Sequence, residues 1–182
     1  AVDTKTKGFD IVAEYGFDLS NSSLTFSAAY NKSETDVVHV DPNPAVLDSL
    51  GVGTVLFGVE EQNTLETAAP DDKLILTGHW SSDHWSILGR ATRWGEAKRV
   101  FNFGDGFEPE QVYGAEVGVD LDVEYRVNKG LTVAIGGNNI LDNYPDLSSS
   151  DINYFGNLPY DVLQPLSFNG AFYYLRTTFK FR

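Results

Sequence analysis

Gly114-Ala115-Glu116-Val117-Gly118-Val119-Asp120-Leu121-Asp122-Val123-Glu124-Tyr125-Arg126-Val127 is the stretch that decides the fold. Ala115, Val117, Val119, Leu121, Val123, Tyr125 and Val127 form one row; Gly114, Glu116, Gly118, Asp120, Asp122, Glu124 and Arg126 form the other. A period of two places these rows on opposite faces of a single strand. One face carries no charge along its length, and the other is almost entirely charged or Gly. Strands of soluble proteins are usually about 5–6 residues long. A longer strand with one apolar and one ionic face suits a barrel wall between lipid and a wet lumen.

Six further segments alternate in the same way. Phe9, Ile11, Ala13, Tyr15 and Phe17 oppose Asp10, Val12, Glu14, Gly16 and Asp18, and Leu24, Phe26, Ala28 and Tyr30 oppose Thr25, Ser27, Ala29 and Asn31. Leu74 to Trp80, Leu131 to Ile135 and Ala171 to Phe181 follow suit. In Trp85 to Trp94 the two arginines fall in opposite phases, which predicts Arg90 in the lumen and Arg93 near the outer head groups. The links are of two kinds. Leu19–Ser22, Ser81–Asp83 and Asn128–Gly130 are short and turn-like, whereas Ser33–Ala69, Glu96–Gln111 and Asn139–Asn169 are long. Outer-membrane barrels have short periplasmic turns and long extracellular loops. The expected fold is therefore all-β: an antiparallel transmembrane β-barrel segment of seven strands, with its C-terminus in the periplasm. Phe17, Phe26, Trp80, Trp85, Tyr125 and Phe179 are expected at the periplasmic interface, and Phe9, Tyr30, Tyr113 and Tyr173 at the outer one. A soluble antiparallel barrel or sandwich is the competing reading, because its strands alternate too.

Composition excludes several functions. A formal charge of −13 on 182 residues argues against nucleic acid, which repels so acidic a surface. Many carboxylates fall in the long links, among them Asp41, Glu60, Glu61, Glu66, Asp105, Glu108 and Glu110. The absence of cysteine removes disulfides, thiol catalysis and Cys-based metal sites. No apolar run approaches the ~20 residues of a membrane helix, which says nothing against strands crossing one. His39, His79 and His84 have no metal-like spacing, and no nucleophile–base arrangement is apparent, so neither an enzyme, a cofactor nor a metal site is expected. Ala1-Val2-Asp3-Thr4-Lys5-Thr6-Lys7 lacks the pattern of a signal peptide, and the chain is expected to be a piece of a longer protein.

Four stretches carry a family resemblance: Lys7-Gly8-Phe9-Asp10-Ile11, Pro70-Asp71-Asp72-Lys73-Leu74-Ile75-Leu76, Gly136-Gly137-Asn138-Asn139-Ile140-Leu141-Asp142-Asn143-Tyr144-Pro145, and Asn169-Gly170-Ala171-Phe172-Tyr173-Tyr174-Leu175-Arg176 followed by Phe179 and Phe181. In order and spacing they resemble the C-terminal barrel portion of TonB-dependent outer-membrane receptors, across essentially all of residues 1–182. One departure is Arg182, where the family usually stops at an aromatic residue. The resemblance implies about seven C-terminal strands of a 22-stranded, plugged barrel. Plug, TonB box and earlier strands are not among these residues and are expected in the same protein or a cleaved companion chain. It further implies a protein of the Gram-negative outer membrane, in contact with lipid and lipopolysaccharide and coupled through its N-terminal region to the TonB–ExbB–ExbD complex. Its implied role is active import of a scarce solute, foremost a ferric-siderophore-type complex, with an oligosaccharide, cobalamin or another bulky nutrient as the alternative.

Two loop clusters are the candidate ligand contacts. One is Phe101, Phe103, Asp105 and Phe107; the other is Tyr154, Phe155 and Tyr160. Exposed aromatics stack on a catecholate chelate or a sugar ring, or else pack the loops against one another. Asp105-Gly106 reads as a turn or a metal-binding loop, without the acidic spacing of a calcium motif. Asn138, Asn139 and Asp142 read as turn residues, because such side chains bond nearby backbone and tolerate left-handed conformations. Gly136 and Gly137 read as points of close approach or a bulge.

Overall fold

The computed structural model describes residues 1–49, 56–153 and 159–181. Seven strands form one antiparallel sheet in the order β1 (Val2–Leu19), β2 (Ser22–Val40), β3 (Asp72–Ser82), β4 (Trp85–Trp94), β7 (Glu116–Asn128), β8 (Leu131–Asn138) and β9 (Phe172–Phe179). A separate hairpin, β5 (Ala97–Val100) with β6 (Glu110–Tyr113), lies in the link between β4 and β7. Two short helices, α1 (Ala45–Ser49) and α2 (Val59–Glu66), lie in the link between β2 and β3. Among the described residues no helix is long and apolar enough to cross a membrane. The sheet is open: β1 pairs with β2 and β9 with β8, and no pairing joins β1 to β9 among the described residues.

The cross-strand register assembles the apolar rows into one continuous face. Tyr15 lies opposite Phe26, Phe26 opposite Gly78, Gly78 opposite Gly89 and Gly89 opposite Leu121. Phe17, Leu24, Trp80, Ile87, Val123, Ile135 and Leu175 form the next row. This face is solvent-exposed, with Ile135 63%, Leu175 74% and Leu121 37% accessible. Rings meet at both of its ends. Tyr15, Phe17 and Phe26 form edge-on contacts and Trp85 meets Tyr125 at 4.7 Å near the short turns, while Phe9 and Tyr30 lie 5.9 Å apart toward the long loops. Just beyond Phe9 and Tyr30 the same face turns ionic, with Lys7–Glu34 at 3.0 Å, Lys32–Asp71 at 3.0 Å and Arg93–Asp72 at 2.7 Å.

The opposite face is polar and internally bonded. Asn31 donates to Asp10, Ser23 and Ser81 share a hydrogen bond, and so do His79 and Ser86. Asp122 accepts from the Tyr174 hydroxyl at 2.6 Å and from Arg176 at 3.2 Å. Arg90 belongs to this face, opposite Thr77 and Asp120, and Arg93 to the other, opposite Leu74 and Val117. Gly136 is a point of close approach: a Cβ there would lie 2.5 Å from the Tyr174 hydroxyl and 2.8 Å from the Leu121 carbonyl oxygen. Only a glycine lets Tyr174 fold across the sheet to Asp122.

Three sequence expectations need correction. The first two strands extend past the apolar band, so the link starts after Val40 rather than at Ser33. Polar residues on both faces from Thr4 to Lys7 and from Ser33 to Asp36 interrupt the periodicity, yet Lys7 pairs with Glu34 and Thr6 with Thr35 across the ribbon. The 96–111 link is not structureless but contains most of the β5–β6 hairpin. Tyr113 is no interfacial girdle residue. It ends β6, outside the seven-stranded sheet, and its side chain is fully buried under the loops.

Candidate functional site

Most of the described buried side chains lie not in the wall but at its long-loop end. Ala68, Ala97, Tyr113, Ile152 and Leu166 provide the apolar part, and Asn63, Arg99, Glu116, Asn139 and Asp161 the polar part. The β5–β6 hairpin is the centre of this cluster, and two amide side chains fix its edges. Asn63 of α2 donates to the Lys98 carbonyl oxygen at 2.6 Å and accepts from the Val100 N–H at 2.8 Å. Gln111 of β6 donates to the Leu147 carbonyl oxygen at 2.9 Å and accepts from the Ser149 N–H at 2.7 Å. Each amide supplies the donor–acceptor pair that a neighbouring strand would otherwise give. α2 itself is tied down at its start, where Glu61 accepts from the Gly58 N–H and Glu60 from the Asn102 N–H.

A buried ion pair holds the hairpin to the last long loop. Arg99 Nε donates to Asp161 Oδ2 at 2.8 Å, with the two side chains only 7% and 3% exposed. Asp161 Oδ1 also accepts from the Leu163 N–H, and the Arg99 guanidinium lies 4.8 Å above the Phe101 ring. These contacts satisfy groups that would be costly to bury alone. Tyr113 bonds Ser148 through its hydroxyl at 2.9 Å, and burial pushes its phenol above the usual range.

Two aromatic ladders grow from this pin. Phe101 and Phe103 stack at 5.8 Å, and Phe107 meets Phe103 at 6.0 Å. Tyr160, next to Asp161, stacks on Tyr144 and on Phe168, each at 6.3 Å. Four of the expected contact residues are therefore gathered as aromatic stacks: Phe101, Phe103 and Phe107 in one ladder and Tyr160 in the other. Phe103 and Phe107 keep 43% and 47% of their surface open. Asp105 occupies the tip of the hairpin loop between Gly104 and Gly106, all three at positive φ. Asn102 Oδ1 accepts from the Gly104 N–H and closes the turn. Of the two readings of Asp105-Gly106, the geometry is that of a turn, and among the described residues no three metal-ligating side chains gather. Tyr154 and Phe155 lie outside the described residues.

The Asn139–Asn143 segment is a structural tie. Asn139 and Asp142 adopt positive φ. Ile140 N–H bonds the Val119 carbonyl oxygen, Asn143 Nδ2 the Val117 carbonyl oxygen, and Asn139 N–H the Asp120 carboxylate. The segment thus runs along β7 where the β8 ladder has ended. Asp142 accepts from the Ala171 N–H at the entry to β9. Asn63, Arg99, Gln111 and Asp161 escaped the sequence reading. Each bonds a partner 35 or more residues away, and no local spacing signals such pairs.

The chain matches no known protein-family model, no curated protein and no solved structure.

Proposed function

We propose that the seven strands are a C-terminal segment of a TonB-dependent outer-membrane receptor whose complete barrel imports a ferric-siderophore-type complex. The carrying observation is the two-faced sheet, in which one exposed face is apolar and the opposite face is ionic and hydrogen-bonded. Water disfavours such a surface, and a bilayer favours it. The dimensions agree. From Phe9 to Leu19 each residue rises about 3.3 Å, roughly 33 Å in all. At a tilt of about 35–45° this spans roughly 23–27 Å of thickness, against an apolar band of about 25 Å in outer-membrane barrels. Aromatic contacts at both ends and the ion-pair row above Phe9 fit the two interfaces.

An open sheet leaves rows of N–H and C=O groups along β1 and β9, which hydrocarbon does not tolerate. The reading therefore requires further strands on these edges and a plug against the polar face. The loop cluster suits a ligand platform: its ladders present aromatic surface, and its buried ion pair keeps them in place. Native mass spectrometry of detergent-extracted material, with peptide mapping of every chain, is the first test. A plug and about 15 further strands, in one chain or a companion, are expected. A folded, detergent-independent monomer of these 182 residues would sink the membrane and transport readings together. Growth of a deletion strain under iron limitation, compared with growth on single carbohydrates, then distinguishes an iron chelate from an oligosaccharide.

A further inference from the structure

The three long links carry nearly all of the net charge. Residues 41–71 hold six carboxylates (Asp41, Asp48, Glu60, Glu61, Glu66 and Asp71) and no Lys, Arg or His. Residues 139–171 hold four more, again without a cation. Residues 95–115 add Glu96, Asp105, Glu108 and Glu110 against Lys98 and Arg99. Fourteen carboxylates against two cations leave −12 in the links, of −13 for the whole chain. The remaining residues are therefore nearly balanced. Both link cations are already engaged: Lys98 pairs with Glu110 at 2.6 Å, and Arg99 is buried against Asp161.

This charge surrounds the open end of the first aromatic ladder. Asp105 lies between Phe103 and Phe107 in the chain, Glu108 directly follows Phe107, and all four residues are exposed. The inner end of the same ladder already holds a cation, the Arg99 guanidinium 4.8 Å from the centre of the Phe101 ring. Aromatic faces attract cations. A surface of one sign concentrates solutes of the opposite charge and repels those of its own.

We propose that the Phe103–Phe107 end of this ladder accepts a solute bearing an exposed positive charge and rejects anionic ones. The inference rests on the import reading above and narrows its substrate class. A ferric chelate with a pendant ammonium group fits, whereas a ferric tris-catecholate, a trianion, does not. The carboxylates are not themselves the contact surface. The rings supply that surface, and Asp105 and Glu108 set the sign of charge it takes.

Equilibrium binding to the complete detergent-solubilised protein, in divalent-free buffer, tests this with one linear ferric trihydroxamate in three forms. One carries a terminal ammonium, one is acetylated to a neutral amide, and one is succinylated to an anion. At low salt the ammonium form should bind about tenfold more tightly than the anionic form, with the neutral form between them. Higher ionic strength should shrink this gap, because salt screens exposed charges. Asp105→Asn combined with Glu108→Gln should narrow it too. Asn tolerates the left-handed backbone of position 105 and Glu108 is exposed, so this variant keeps the fold. Phe103→Ala should weaken all three forms. Equal or tighter binding of the anionic form, a gap unchanged in the double variant, or full affinity in Phe103→Ala would each overturn the inference. A ferric tris-catecholate, measured in parallel, separates the two readings. If it alone binds, charge selection is wrong and import of an iron chelate stands. If no ferric chelate binds, both fall together.

Discussion

The wall and the loop cluster are stabilised in opposite ways. In the seven-stranded sheet, here the wall, the apolar side chains line one exposed face, and few described residues are buried; Ala134 is an exception. Its order comes from continuous backbone ladders, such as the 18-residue β1 against the 19-residue β2. The loop cluster has short ladders, four residues in each of β5 and β6, but a core of its own with apolar, amide and ionic members. An exposed apolar face of this kind contributes no core of its own, and water disfavours it. The cluster carries its cohesion with it, and so it holds its aromatic ladders in place at the sheet's end.

The largest effect should come from the cluster. Asp161→Ala leaves the Arg99 guanidinium buried without its carboxylate and deprives the Leu163 N–H of its acceptor. Breaking one side of a buried pair costs roughly 3–5 kcal/mol. Hydrogen exchange should accelerate across residues 97–100 and 159–164 while β7 keeps its protection, since local openings need not spread. Loss of protection along β7 as well would show that wall and cluster are one cooperative unit. Next comes Leu121→Arg, which places a charge near the middle of the apolar face. For a wall in lipid it should cost about 2–4 kcal/mol, read from denaturant titration of the protein folded into vesicles. Ser27→Arg on the polar face, beside Glu14 in the register, should be near neutral. Equal effects for the two would remove the distinction between the faces.

The same contrast explains what the sequence revealed. In the wall, geometry is local: period-two alternation from Ala115 to Val127 fixes two faces, and short turns fix the pairing of neighbours. Phases could therefore be assigned, including those of Arg90 and Arg93. The signal faded where Thr4 to Lys7 and Ser33 to Asp36 put polar residues on both faces, which hid the long-loop ends of β1 and β2. In the cluster, geometry is non-local. Arg99 and Asp161 are 62 residues apart, and nothing around either marks it as paired. Helix α2, Val-Glu-Glu-Gln-Asn-Thr-Leu-Glu, has no apolar stripe to announce it and is fastened through Asn63 and Glu60 instead. Phe101, Phe103, Phe107 and Tyr160 were visible as aromatics, but not their arrangement as two ladders rooted on one ion pair.

The smallest expected effect is also the most selective for the cluster. The Tyr113 phenol is raised chiefly by burial, with its bond to Ser148 acting in the opposite direction. An unfolded tyrosine titrates near 10. Below that pH both states hold the proton, and the residue's contribution to stability is complete. As pH rises past 10 the unfolded phenol ionises while the buried one stays neutral, so stability falls until the folded group also ionises. Tyr144, bonded to Asp142, shifts in the same direction and leaves a residual slope. Tyr113→Phe should therefore cost about 0.5–1.5 kcal/mol at neutral pH, for one lost hydrogen bond. It should also flatten the decline of near-UV dichroism between pH 9 and about 11. An unchanged slope in Tyr113→Phe would mean that alkaline loosening starts elsewhere, and the cluster would no longer be the pH-sensitive part of the molecule.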